Sequence, residues 1–187
     1  MRLFFLRHEE RPSNPSFKTQ LTEAGKLRAA TSVKDKLSNL GITTIFSSPF
    51  VRVLQTIQPF VMESGLKVNI DFGVSEGLNS NVFVPSDTFS PPSYIDCNIN
   101  PGHKSYYEEE FYYAPENEMD ISQRVKIFLD ILLKNYSHTN ETILIATHKC
   151  VCNILIRLLT REVRHIDAPF EMGQISYLDN NELKIIN

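Results

Sequence analysis

Three short apolar runs, far apart along the chain, each give way abruptly to a cationic or imidazole side chain, and this pattern restricts the fold more than any other feature. Leu3-Phe4-Phe5-Leu6 runs into Arg7 and His8, Thr43-Thr44-Ile45-Phe46 into Ser47, Ser48 and then Arg52, and Ile143-Leu144-Ile145-Ala146-Thr147 into His148. Continuous apolar runs of this length read as strands covered on both faces. Helical patterns between them predict an α/β fold, with helices covering both faces of the sheet. Ligands of open α/β sheets lie in the crevice beyond the carboxyl ends of the strands. Taken singly, a His or Arg after a strand has a plain structural explanation; taken together, two of each are expected to converge on one pocket.

In chain order, the prolines and turn formers of 12–16 exclude regular structure and make a loop over the first strand end. Thr22 reads as the N-cap of a helix whose stripe is Leu27, Ala30, Val33 and Leu37, with Gly41 as its stop. The strand over 42–46 leads into a helix over roughly 49–64 that carries Arg52 in its first turn and ends at Gly65. An anion there would gain from unpaired N–H groups and the helix dipole. A less apolar strand over 67–72, placed near a sheet edge, leads to Glu76. From about 77 to 117 the chain turns irregular, with half of its prolines and most of its tyrosines, among them Tyr106, Tyr107, Tyr112 and Tyr113. A segment of that kind is expected to lie over the site as an insertion, its aromatics lining a substrate mouth or packing the loop down. Glu108, Glu109 and Glu110 read as a solvated face. Asp120 with Gln123 reads as the start of a helix reaching Tyr136, with Ile121, Val125, Leu129 and Leu132 as its buried stripe. After His148 an apolar helix covers 150–159, and the tail suggests a hairpin around 179–181.

The 187 residues suit one domain, 1–187, and a formal net charge of −3 gives no polyanion-binding signature. No run reaches membrane-spanning length, and the N-terminus lacks a signal-peptide pattern. A cytoplasmic protein with neither nucleic-acid nor membrane partner is therefore expected; whether it is a homodimer is left open. Cys97, Cys150 and Cys152 lack zinc spacing and read as reduced structural thiols.

Two Arg and two His around one point suit a dianion, and the planar guanidinium fork favours phosphate over carboxylate. A neutral imidazole nitrogen is a competent nucleophile, so His8 is assigned in-line attack on phosphorus. Arg7, Arg52 and His148, if protonated, would neutralise the oxygens. The leaving alcohol needs a proton from a carboxyl group whose pKa burial has raised. Glu76 is assigned that role, with Glu9 and Glu10 as rivals. No metal and no cofactor are expected.

Leu6-Arg7-His8-x-Glu10, Leu21-Thr22-x-x-Gly25, Ser47-Ser48-Pro49-x-x-Arg52-x-x-x-Thr56 and Ala146-Thr147-His148 together resemble the signatures of the histidine phosphatase superfamily, also called phosphoglycerate mutase-like. The resemblance implies a three-layer α/β/α sandwich with a mostly parallel central sheet, phosphohistidine at His8, phosphate ligands at Arg7, Arg52 and His148, and a proton donor at the position of Glu76. Arg7-His8-x-Glu10-Arg11 is most similar to the branch containing the suppressor of T-cell receptor signalling phosphatases. That likeness implies Arg11 as an extra phosphate ligand and a phosphotyrosine or other aryl or sugar phosphate as substrate. Glu9 and Lys149 depart from the family pattern, Glu9 threatening to repel phosphate and Lys149 to attract it. They keep a non-catalytic phospho-ligand-binding module in play beside a metal-independent phosphatase, with a mutase as the third reading.

Overall fold

A computed structural model describes residues 1–13, 16–77, 95–107, 116–179 and 182–186. Six strands form one sheet in the order β3-β2-β4-β1-β5-β6, with β1 (Arg2–Arg7), β2 (Thr44–Ser47), β3 (Val68–Ile70), β4 (Thr142–Thr147), β5 (Ile175–Asp179) and β6 (Glu182–Ile186). β1, β2, β3 and β4 run parallel; β5 is antiparallel to β1, and β6 to β5. The mostly parallel sheet read from the sequence is thus present, with β3 at its edge. The last two strands make the expected hairpin; its turn residues lie outside the described residues.

Why the sheet is buried on both sides follows from the period of two along each strand. Phe4 and Leu6 of β1, Ile45 of β2 and Leu144 and Ala146 of β4 face one core, shared with Val33, Leu37, Leu54 and Ile57. Phe5, Phe46, Ile143 and Ile145 face a second core, built with Val125, Phe128, Val151 and Ile154. The first face is covered by α1 (Glu23–Arg28), a π-turn (Ala29–Val33), α2 (Lys34–Ser38) and α3 (Val51–Ser64). The second is covered by α4 (Glu118–Tyr136) and α5 (Lys149–Thr160).

Local details depart from the sequence reading in three places. Thr22 does cap α1, accepting from Gly25 N, but Leu27 is exposed, and the buried line is Gly25, Ala29, Val33 and Leu37. A strict four-residue spacing creeps about 40° per step around a regular α-helix of 3.6 residues per turn; the wider π-turn takes up that creep and keeps the line on the sheet. The next helix begins a turn before Asp120. Asn117 is its N-cap, accepting from Met119 N and Asp120 N, while Asp120 closes the capping box back onto Asn117 N. The strand expected over 67–72 stops at Ile70, because Asp71 accepts from Gly73 N and turns 72–74 into a 3₁₀ turn.

That turn carries the chain towards Glu76, and it is held hard. The buried Asp71 carboxylate also accepts from Ser105 Oγ and Tyr106 N, and a Cβ on Gly73 would come within 2.6 Å of Phe128 Cβ. Residues 95–107 run beside β3, with an isolated bridge between Val68 and Ile99. Tyr106 packs against Phe46 and Phe128, so this tyrosine ties its segment to the body rather than lining a mouth. Within the expected insertion over 77–117, residues 78–94 and 108–115, with Tyr112, Tyr113 and Glu108 to Glu110, lie outside the described residues. No helix among the described residues is long and apolar enough to cross a membrane.

Candidate active site

Parallel register delivers the two histidines side by side. Arg7, the last residue of β1, is opposite Thr147, the last of β4, and His8 N donates to Thr147 O at 3.0 Å. The His8 and His148 rings then meet edge-on with centroids 5.2 Å apart. β2 ends beside β4, and its continuation starts α3, whose second residue is the fully buried Arg52.

Arg52 binds the site together. Its Nε lies 3.4 Å from His8 Nε2, its Nη2 3.2 Å from Glu76 Oε2, and its Nη1 donates to Ser16 O at 2.9 Å. The guanidinium also lies over the Phe50 ring, 4.7 Å from its centroid. Burial lowers the Arg52 pKa to about 10, which leaves it charged at neutral pH.

The hydrogen bonds assign the tautomers. His8 Nδ1 lies 2.7 Å from Glu9 O, a carbonyl that can only accept, so the proton is on Nδ1 and the lone pair of Nε2 points to Arg52 and the site. Burial first, then His148 and Arg52, hold the His8 pKa well below its ordinary value. His8 is therefore a neutral base with its free nitrogen inward. His148 Nδ1 lies 3.2 Å from Glu76 Oε2, and its Nε2 2.9 Å from Ser48 Oγ. A proton on Nδ1 donated to the carboxylate, with the Ser48 hydroxyl donating to Nε2, satisfies both contacts. Burial, aided by Arg52, overrides the pull of Glu76 and takes the His148 pKa down to about 4. The sequence reading left the charge of His148 conditional, and here the ring is neutral.

Glu76 needs a correction. Burial pushes its pKa up, as the sequence reading had it, but His148, Arg52 and the Cys150 thiol together more than offset this and hold it well below the usual range. Without substrate Glu76 is a carboxylate. A phosphate dianion engaging Arg52 and His148 would reverse the balance, because it draws away the hydrogen bonds and charge that stabilise the anion and adds like charge beside it.

Arg7 and Arg11 add charge at the rim. Arg7 Nη1 donates to Phe170 O and Arg11 Nη1 to Pro12 O at 2.7 Å. Each Nε is a buried donor without a hydrogen-bond partner among the described residues. A donor so placed costs free energy unless something accepts from it, which fits an oxyanion. The Arg11 charge is felt by Glu76, Arg7 and Arg52.

The two departures from the family pattern are both paired away from this point. Glu9 is buried with Oε2 3.0 Å from Arg28 Nε, and its Oε1 occupies the space beside Gly173, where φ is +72° and a Cβ would lie 2.1 Å from that oxygen. Lys149 pairs with Asp167 at 2.8 Å. The rival donor Glu10 is engaged by Thr22 Oγ1 and Arg28 Nη2, each at 2.9 Å.

Sequence reasoning missed the support of Glu76. Arg124, buried in α4, takes Glu116 in a two-pronged pair at 2.7 and 2.8 Å and donates to Phe72 O, Gly73 O, Ser75 O and Glu76 O. An arginine between Ile121 and Phe128 on an apolar stripe was the available signal. Cys150, read as a plain structural thiol, has its Sγ 3.0 Å from Glu76 Oε1.

His8, Glu76 and His148 also offer ligand atoms within 4.8 Å of one another. The Arg52 guanidinium reaches all three residues, so a metal ion would face a fixed positive charge there. The set suits an anion better.

The two buried neutral histidines set a pH dependence. A group whose pKa falls on folding binds its proton more readily in the unfolded chain, so stability is complete above the unfolded value and drains as pH falls. For His148 the window runs from 6.5 down to about 4, and across it about 3 kcal/mol is lost. Urea unfolding at pH 7 and pH 4.5 is expected to reveal this, with the slope between them reduced in His148→Gln.

A family model for the histidine phosphatase superfamily (branch 1) matches residues 3–182. Among solved structures, ecdysone phosphate phosphatase from Bombix mori, in complex with tungstate, superposes with a TM-score of 0.76 at 14% identity, covering 100% of this chain and 92% of that one. A mycobacterial glucosyl-3-phosphoglycerate phosphatase with inorganic phosphate gives 0.67 at 18% identity, covering 100% and 95%. A putative alpha-ribazole-5'-P phosphatase from Escherichia coli gives 0.66 at 18%, covering 100% and 94%. At these identities the likeness concerns the fold. No match is found among curated proteins. The family match runs nearly end to end, over the fold and the residues just described, and this chain belongs to branch 1 of the histidine phosphatase superfamily.

Proposed function

We propose that the protein is a phosphatase that hydrolyses phosphate monoesters through a phosphohistidine at His8. One observation carries this most directly: a neutral imidazole whose unprotonated nitrogen, Nε2, faces a buried guanidinium. In the first step Nε2 attacks phosphorus as the P–O bond to the leaving alcohol breaks, and Glu76, protonated once phosphate is bound, supplies the proton. In the second, water attacks the phosphohistidine and Glu76 takes a proton back. Arg7, Arg11, Arg52 and His148 bind the oxygens and stabilise charge as it shifts between them.

Two neighbours of the same fold are complexes with oxyanions, tungstate and inorganic phosphate, which supports an oxyanion as ligand here. The pairing of Glu9 with Arg28 and of Lys149 with Asp167 weighs against the non-catalytic alternative. The substrate proposed is a phosphotyrosine or another aryl or sugar phosphate. A screen of phosphotyrosine peptides, sugar phosphates and nucleotides, with and without chelator, tests this. Saturable release of phosphate that chelator does not change is expected; no release from any substrate would overturn the proposal.

A further inference from the structure

We propose that Cys150 is a positioning residue for Glu76, its S–H holding Oε1 so that Oε2 faces Arg52 and His148. This extends the reading of Glu76 as proton donor. The two carboxylate oxygens are sorted by partner. Oε1 lies 3.0 Å from Cys150 Sγ and accepts from Gly77 N at 3.3 Å, whereas Oε2 lies 3.2 Å from both Arg52 Nη2 and His148 Nδ1. A carboxylate pinned at one oxygen presents the other in a fixed direction, which proton transfer to a leaving group requires.

The thiol is well placed for this. Cys150 is the second residue of α5, directly beyond His148, the N-cap, so the residue that touches Oε2 and the residue that touches Oε1 ride on the same helix start. A helix N-terminus ordinarily favours thiolate. Here burial, then Glu76, push the Cys150 pKa well above its ordinary value, and the group remains an S–H donor. The charged and titratable groups around Glu76 are Arg52 from α3, His8 and Arg11 beyond β1, His148 before α5, Cys152 within α5, Asp167 beyond it, and Arg124 from α4 against its backbone. Cys150 contacts Oε1, whereas Arg52 and His148 contact Oε2.

Removal of the donor has a calculable sign. The thiol stabilises the ionised carboxylate, so Cys150→Ala is expected to raise the Glu76 pKa by about one unit, while Cys150→Ser keeps a donor and restores the wild-type value. Carbon-13 NMR titration of the Glu76 carboxyl, identified by its absence in Glu76→Gln, reads this without turnover. In kinetics with an alkyl phosphate, the alkaline limb of kcat should move up by the same amount in Cys150→Ala while KM holds. An unshifted titration in Cys150→Ala, or a serine variant that behaves as the alanine one, would overturn the inference. A wild type that hydrolyses nothing while the NMR shift is present would instead overturn the phosphatase reading and leave this contact standing.

Discussion

His8→Ala is expected to lower phosphomonoester hydrolysis by roughly 10⁴-fold or more, the scale on which loss of a covalent nucleophile is felt. The magnitude follows from the absence of a second group that could take over. His148 is 5.2 Å away ring to ring, but its Nδ1 carries the proton shared with Glu76 and its Nε2 is held at 2.9 Å by Ser48, a closer contact than the 3.4 Å between His8 Nε2 and Arg52. The fold should survive, since the exchange removes a buried ring whose neutral state is already costly at low pH. Oxyanion binding should survive as well, because Arg52 is held independently by Ser16 O and Glu76. A variant that binds tungstate, unfolds at the wild-type urea concentration and yet turns nothing over would separate nucleophile from scaffold. Retention of more than a tenth of wild-type activity would remove His8 from that role.

Glu76→Gln should discriminate between leaving groups. Glutamine keeps the shape of the side chain but has no acidic proton to give. An alkyl phosphate, whose alkoxide is a poor leaving group, is expected to lose about 10²- to 10⁴-fold in kcat. p-Nitrophenyl phosphate, whose phenolate leaves without help, should lose much less. Equal losses on both substrates would mean that Glu76 serves to orient Arg52 and His148 and that the proton comes from elsewhere. Because Glu76 is ionised in the empty site, its protonation must accompany substrate binding. The wild-type kcat should therefore fall at alkaline pH, and in the glutamine variant that limb should disappear.

The part of the site legible in the sequence is the part made by chain direction. Arg7, His8 and His148 follow two apolar runs, and once those strands are parallel neighbours in register, Arg7 opposite Thr147, the residues beyond them have to meet. Arg52 was legible for the same reason, in the first turn of the helix that follows β2. Protonation states were less accessible. Burial alone favours a protonated Glu76, and only the coordinates reveal that Arg52 and His148 both sit 3.2 Å from its Oε2. Glu9 illustrates the same difficulty. Its sequence position beside His8 suggests repulsion of phosphate, but the strand geometry turns its side chain to Arg28, nineteen residues away, against a glycine that leaves room for it. Arg124 was hidden because its partners are four backbone carbonyls and a glutamate, and carbonyls carry no sequence signature. The π-turn after α1 was hidden as well, since a spacing of four is compatible with a regular helix until the face it must cover is known.

The central claim is that phosphorus becomes bonded to His8 Nε2 during turnover. Rapid mixing of wild-type protein with a phosphate monoester, denaturation at alkaline pH where an N–P bond persists, and mass spectrometry of the peptide containing His8 measure that bond directly. The account predicts a single added phosphoryl group on His8, formed within one turnover and gone when substrate is exhausted. Steady turnover with an unmodified His8 peptide, or a phosphoryl group carried by another residue, would contradict it.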